Sequence, residues 1–168
     1  MRMHFLLGAL LIAGCGSSDQ VTTNYKTIGA TGGQISLNST VLTIPAGALA
    51  MDTVITLTQT GDSAPSGMSA YTPIYKYEPE GLQFLKPASV TFELPSPADS
   101  PSVFWSNAAG GFDDLRGKIV GRAITGSIMH FSKGYAGKGL GGIYVDAGVP
   151  DLMPPADLAV AADLATSD

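Results

Sequence analysis

Apolar and polar residues alternate in short runs through the middle of this chain, with a period of two and a length of four to six residues. Val54 to Thr58 is the clearest run, placing Ile55 and Leu57 on one face and threonines on the other. Ile74 to Glu78 repeats the pattern, with Tyr75 and Tyr77 inward and Lys76 and Glu78 toward water. Ser89 to Leu94 offers Val90, Phe92 and Leu94 as an inner face. Gln34 to Leu37 and Val41 to Ile44 flank the turn-prone Asn38-Ser39-Thr40, and Val103 to Trp105 opens a further strand before a turn at Asn107 to Gly111. The pattern predicts a last hairpin, Lys118 to Thr125 and Ile128 to Ser132, around Thr125-Gly126-Ser127. Pro65, Pro73, Pro79, Pro87, Pro95 and Pro97 are expected near strand ends, where a missing N–H costs nothing. No long amphipathic helix is predicted before residue 140. The expectation is an all-β chain, a single antiparallel β-sandwich.

Both ends depart from that pattern. Arg2 precedes an apolar run from Phe5 to Ala13, too short to span a bilayer as a permanent helix, and the run closes on Cys15, the single cysteine of the chain. Ile12-Ala13-Gly14-Cys15 resembles a bacterial lipoprotein signal. The resemblance implies that residues 1–14 are removed and that Cys15 is acylated. Several acyl chains hold a protein on a membrane where one chain gives only marginal binding. Gly16-Ser17, with no aspartate beside Cys15, resembles Gram-negative lipoproteins sent to the outer rather than the inner membrane. Residues 15–23 then read as a tether, and 24–136 as the folded domain.

Residues 137–168 form a low-complexity tail of Gly, Pro and Asp-Leu-Ala. Gly137 to Gly142 reads as flexible linker and lacks the Lys-Ser/Thr of a phosphate loop. Asp151-Leu152, Asp157-Leu158 and Asp163-Leu164 recur every six residues, and no Lys or Arg follows Lys138. A helix would scatter these leucines around its axis, so they make no apolar stripe, and the tail is expected to be a disordered acidic spacer. Such tracts resemble segments of deltaproteobacterial surface proteins.

Charge and composition narrow the function. Arg2 is the only one of nine Lys and Arg inside the signal, against fourteen Asp and Glu, so the mature chain carries about −6. No basic patch is present for nucleic acid. With Cys15 given to lipid, no disulfide forms within the chain. Gly (21) and Pro (11) suit many strands joined by turns.

Gly29-Ala30-Thr31-Gly32-Gly33-Gln34-Ile35-Ser36-Leu37, Leu42-Thr43-Ile44-Pro45-Ala46-Gly47-Ala48-Leu49 and Ile55-Thr56-Leu57 together resemble the opening of the ZU5 domain. Pro73-Ile74-Tyr75, Glu78-Pro79-Glu80-Gly81, Phe84, Lys86-Pro87 and Val90 to Leu94 resemble its second block. The likeness covers roughly residues 28–135. It implies a β-sandwich without a cofactor that docks other proteins. The UPA-type β-domain that often follows ZU5 is not expected in the fewer than 40 residues given after Ser132.

His130-Phe131-Ser132 is the one chemical constellation. In some ZU5-containing proteins such a triplet cuts itself, which by resemblance makes Ser132 the nucleophile, His130 its base and Phe131–Ser132 the bond broken. In a strand, residues i and i+2 share a face, and imidazole is the side chain suited to take a proton near neutrality. The competing reading is structural, with Phe131 in the core and His130 bonded to nearby backbone. The expected function is therefore a non-catalytic, membrane-anchored binding or scaffolding module, with self-cleavage as the alternative. Weaker candidates are calcium at Asp113-Asp114 with Asp62 or Asp99, a sugar platform of Tyr75, Tyr77 and Trp105, and a Ser-His-Asp hydrolase using His130, for which no Gly-x-Ser-x-Gly elbow exists.

Overall fold

Period-two patterning produces strands throughout the computed structural model, which describes residues 22–145. Thirteen strands and no helix are present among the described residues. They are β1 Thr23–Ile28, β2 Gly33–Leu37, β3 Thr40–Ile44, β4 Thr53–Gln59, β5 Ser69–Ala70, β6 Tyr75–Glu78 and β7 Gln83–Glu93. Then follow β8 Pro101–Ser106, β9 Phe112–Arg116, β10 Lys118–Val120, β11 Ala123–His130, β12 Lys133–Lys138 and β13 Ile143–Tyr144. One sheet has the order β1-β4-β6-β12-β8-β9, with β5 added on β12; the other has the order β13-β10-β11-β7-β3-β2. All pairings are antiparallel except β10 with β13. The chain is an all-β sandwich.

Its core forms where the two inner faces meet. Leu42, Ile44, Val90, Phe92 and Ile124 from one sheet pack on Ile55, Leu57, Tyr75, Tyr77, Val103 and Trp105 from the other. A smaller cluster lies on the outer side of the first sheet. There Ile74, Phe104 and Tyr135 are covered by Met68 and Phe112, and Phe104 stacks on Tyr135 at 5.1 Å. This explains why β8 is buried on both faces rather than alternating. Opposite the β9 edge, β1 closes the sandwich with side chains. Asn24 Nδ2 donates to Ser36 O at 2.8 Å and Lys26 Nζ to Gln34 O at 3.0 Å, covering backbone acceptors on edge strand β2.

Three sequence expectations are corrected. Thr125-Gly126-Ser127 is no turn: it pairs with Thr91, Val90 and Ser89 in the middle of β11. Gly126 is there because a Cβ would lie 2.9 Å from Val103 Cγ1, so the opposite sheet needs the space. The hairpin turns instead between β10 and β11, at Gly121 and Arg122. Pro87 sits inside β7, where the ladder to β11 jumps from Ala88–Ile128 to Gln83–His130, so its missing N–H breaks no pair. Finally, β12 runs to Lys138, across the boundary expected at 136, and Gly139 N and Gly142 N donate to Ser100 O and Pro101 O. The glycines read as linker are therefore bonded onto the domain. At Gly137 a Cβ would lie 2.4 Å from Ser69 O.

Candidate functional site

His130, Phe131 and Ser132 lie where the chain crosses between sheets. His130 ends β11 in one sheet, and Lys133 begins β12 in the other. The crossing is tied at each step. Trp105 Nε1 donates to His130 O at 3.1 Å. Phe131 N donates to Leu82 O at 2.9 Å, Gly81 N to Phe131 O at 3.3 Å, and Tyr77 N to Ser132 O at 3.0 Å. Gly81, with φ 75°, supplies the left-handed turn that ends Glu78-Pro79-Glu80-Gly81; nothing stands within 4 Å of where its Cβ would be, so its requirement is conformational. Phe131 is buried, edge-on to Phe84 at 5.0 Å and tilted against Tyr77 at 6.0 Å.

The side chains are arranged differently from the i, i+2 expectation. Ser132 lies beyond the end of β11, so strand alternation no longer aligns it with His130. Its hydroxyl shares a short hydrogen bond with Ser106, whose Oγ also accepts from Lys133 N at 3.0 Å. His130 Nδ1 lies 3.2 Å from Phe131 O. A carbonyl only accepts, so that contact places the proton on Nδ1. Among the described residues, the side chain of His130 bonds to Phe131 O and not to Ser132. An open cleft of about 350 Å³ exposes His130, Ser132, Ser106, Glu80 and Asn107 to solvent. Lys133 Nζ pairs with Asp62 at 2.7 Å, and the bond from Lys133 holds the Asp62 carboxyl below its ordinary range.

Sequence alone did not single out Ser106, and it marked Gly81 only as part of the Glu78-Pro79-Glu80-Gly81 turn, not as a neighbour of the triplet. Ser106 ends a strand that the pattern did predict, but its partner is 26 residues away. Other candidates are separated by the fold. Asp62 and Asp99 pair with Lys133 and Lys138; Asp113 accepts from Asn107 Nδ2, and Asp114 from the Arg116 and Leu140 amides. They do not come together as a calcium site. Tyr75, Tyr77 and Trp105 are core residues rather than a sugar platform: Tyr77 packs on Trp105 at 4.9 Å and its hydroxyl bonds Thr40 Oγ1 at 2.8 Å. Burial raises the Tyr77 phenol pKa far above its ordinary value. Cys15 and the acidic repeat lie outside the described residues.

A second surface has the opposite character. Strand β13 pairs on one side only, with β10. Leu140, Ile143 and Tyr144 are about 70% exposed there (72%, 67% and 72%), and Val145 follows, also exposed. An open cleft of about 440 Å³ adjoins it, walled by Leu115, Arg116, Lys118 and Ile143. The chain matches no family model and no curated protein sequence.

Proposed function

We propose that this protein is a lipid-anchored, ZU5-like binding module, non-catalytic, that presents its sandwich to a protein partner from the outer membrane. The observation that carries the reading is the β13 edge. Exposed apolar side chains beside a strand with one unpaired side are what a partner covers. Cys15 supplies the attachment and the tether the distance. The site chemistry agrees with a structural role for His130-Phe131-Ser132, because Ser132 is hydrogen-bonded to another serine rather than to a base.

The test has two arms. Cys15→Ser should move the full-length protein from the membrane to the soluble fraction. A photoreactive residue at Tyr144 should give one discrete protein adduct in intact cells, absent when the residue is placed at the opposite edge, at Tyr25. A soluble wild type, or equal diffuse labelling from both positions, overturns the reading.

One observation favours a second reading, self-cleavage. The Phe131 carbonyl oxygen receives Gly81 N–H and faces His130 Nδ1, two donors where an oxyanion would form. Ser132 Oγ would bond to the Phe131 carbonyl carbon as the carbon–nitrogen bond breaks, its proton passing to the freed nitrogen. Water would then hydrolyse the ester. A mature-protein mass spectrum decides: two fragments meeting at Ser132 support the cut, and one intact species rejects it.

A further inference from the structure

The cleft beside β13 lies on the outer face of the second sheet, at the corner where the chain passes from β9 to β10. Strand register builds its floor. Lys118 pairs with Thr125 and Ile143, and Thr125 with Thr91, so these four side chains share one face. Ser127 and Ser89 pair two residues further along the same face. Leu115 and Arg116 reach in from β9 of the other sheet and complete a cleft of about 440 Å³. Ile143 faces it and Tyr144 does not, because Tyr144 is aligned with the buried Ile119.

The corner that presents the two cations is fixed by its backbone. Arg116 has φ 58°, a left-handed value uncommon outside glycine, and Gly117 has φ 119°, with a Cβ there only 2.9 Å from Thr125 O. Asp114 accepts from Arg116 N at 2.7 Å and from Leu140 N at 2.8 Å, so its carboxylate holds the corner rather than the guanidinium. Among the described residues the ion pairs use Lys76, Arg122, Lys133 and Lys138. No carboxylate lines the cleft, and Arg116 and Lys118 stand there exposed and uncompensated. The Thr91 and Thr125 hydroxyls bond each other at 2.8 Å, whereas those of Ser89 and Ser127 have no hydrogen-bond partner among the described residues. The cleft thus combines two cations, two unengaged hydroxyls and an apolar pair, Leu115 and Ile143, on a chain whose mature form carries about −6. A carboxylate accepts in bidentate fashion from arginine, and singly from lysine and serine. Two cations are too few for an anionic membrane, whose recognition takes roughly four to eight.

We infer that this cleft binds an extended acidic segment of the protein partner. Its carboxylates meet Arg116 and Lys118 and accept from the Ser89 and Ser127 hydroxyls, and an apolar side chain between them packs against Leu115 and Ile143. This rests on the reading of β13 as the recognition surface and names the partner's chemistry there. Charge complementarity selects this occupant over a second copy of the sandwich, whose own cleft would bring Arg116 and Lys118 against the same two cations.

The test is an NMR titration of the purified, isotope-labelled, full-length lipidated protein in nonionic detergent, which needs no partner and is independent of the cross-linking result. The probe is the peptide acetyl-Glu-Ser-Ile-Ser-Glu-amide, whose Glu, Ile and Glu side chains share one face when extended. Its match has Gln in place of both Glu. The Lys118, Ser127 and Ile143 amides should shift saturably with the Glu peptide and need about tenfold more of the Gln peptide. Arg116→Gln/Lys118→Gln should weaken the Glu peptide about tenfold, and Ser89→Ala/Ser127→Ala should weaken it about threefold. Equal affinity for the two peptides in wild type, a comparison that needs no variant, overturns the inference. Stronger shifts at the same amides from phosphatidylglycerol added to the micelles would assign the cleft to a membrane and overturn it as well. A Tyr144 adduct that forms although neither peptide binds removes this inference alone and leaves the reading of β13 standing.

Discussion

Replacing Thr40 with valine should cost more than replacing its partner Tyr77 with phenylalanine, and replacing both should cost less than the sum. The two hydroxyls bond at 2.8 Å with both residues fully buried. Thr40 Oγ1 has a second acceptor, Thr91 O at 3.4 Å, whereas the Tyr77 hydroxyl has Thr40 alone. Tyr77→Phe therefore removes one hydrogen bond and leaves the threonine somewhere to donate, a loss of about 1 kcal/mol. Thr40→Val strands a phenol between Trp105 and Phe131, so its loss should reach about 2–3 kcal/mol, the desolvation of an unpaired buried polar group. The double variant buries two matched apolar groups and should lose only about 1 kcal/mol, a coupling of about 2 kcal/mol. Urea unfolding followed by Trp105, the only tryptophan, measures all three. Losses that add to within about 0.5 kcal/mol would refute the argument, because additivity means the hydroxyls do not depend on each other.

Gly134→Ala places a Cβ 2.2 Å from Trp105 Cε3 and should lower stability by about 3 kcal/mol. Gly61→Ala, with nothing within 4 Å, should be near neutral in the same urea titration. Tyr77 ionises less readily folded than unfolded, so the stability its burial supports is complete below its ordinary value of 10.0 and is lost as pH rises above it. Unfolding midpoints should fall above pH 10 in wild type and fall less in Tyr77→Phe. Asp62 has the opposite sign: its carboxyl is held down chiefly by Lys133, so its contribution is present above about pH 4 and disappears as pH falls below 3.8. Both partners are about half exposed (42% and 47%), so Asp62→Asn should cost under about 1 kcal/mol at pH 7 and progressively less as pH falls below 3.8.

The sequence by itself determined the strands whose side chains alternate. Ile55 and Leu57, Tyr75 and Tyr77, and Val90, Phe92 and Leu94 all face inward as their spacing requires. A side-chain period of two is a local property, and local properties are written in the order of residues. Tertiary structure decided what depends on the neighbouring sheet. Gly126 and Gly137 read as turn and linker, yet each lies in a strand, as does Gly134. Val103, the Trp105 ring and the Ser69 backbone occupy the space a side chain would need. The site followed the same division. Its triplet was legible because three consecutive residues carry it. That Ser106 and Gly81 join it was not, because only the crossing from one sheet to the other brings residues 26 and 50 positions distant to its hydroxyl and its carbonyl.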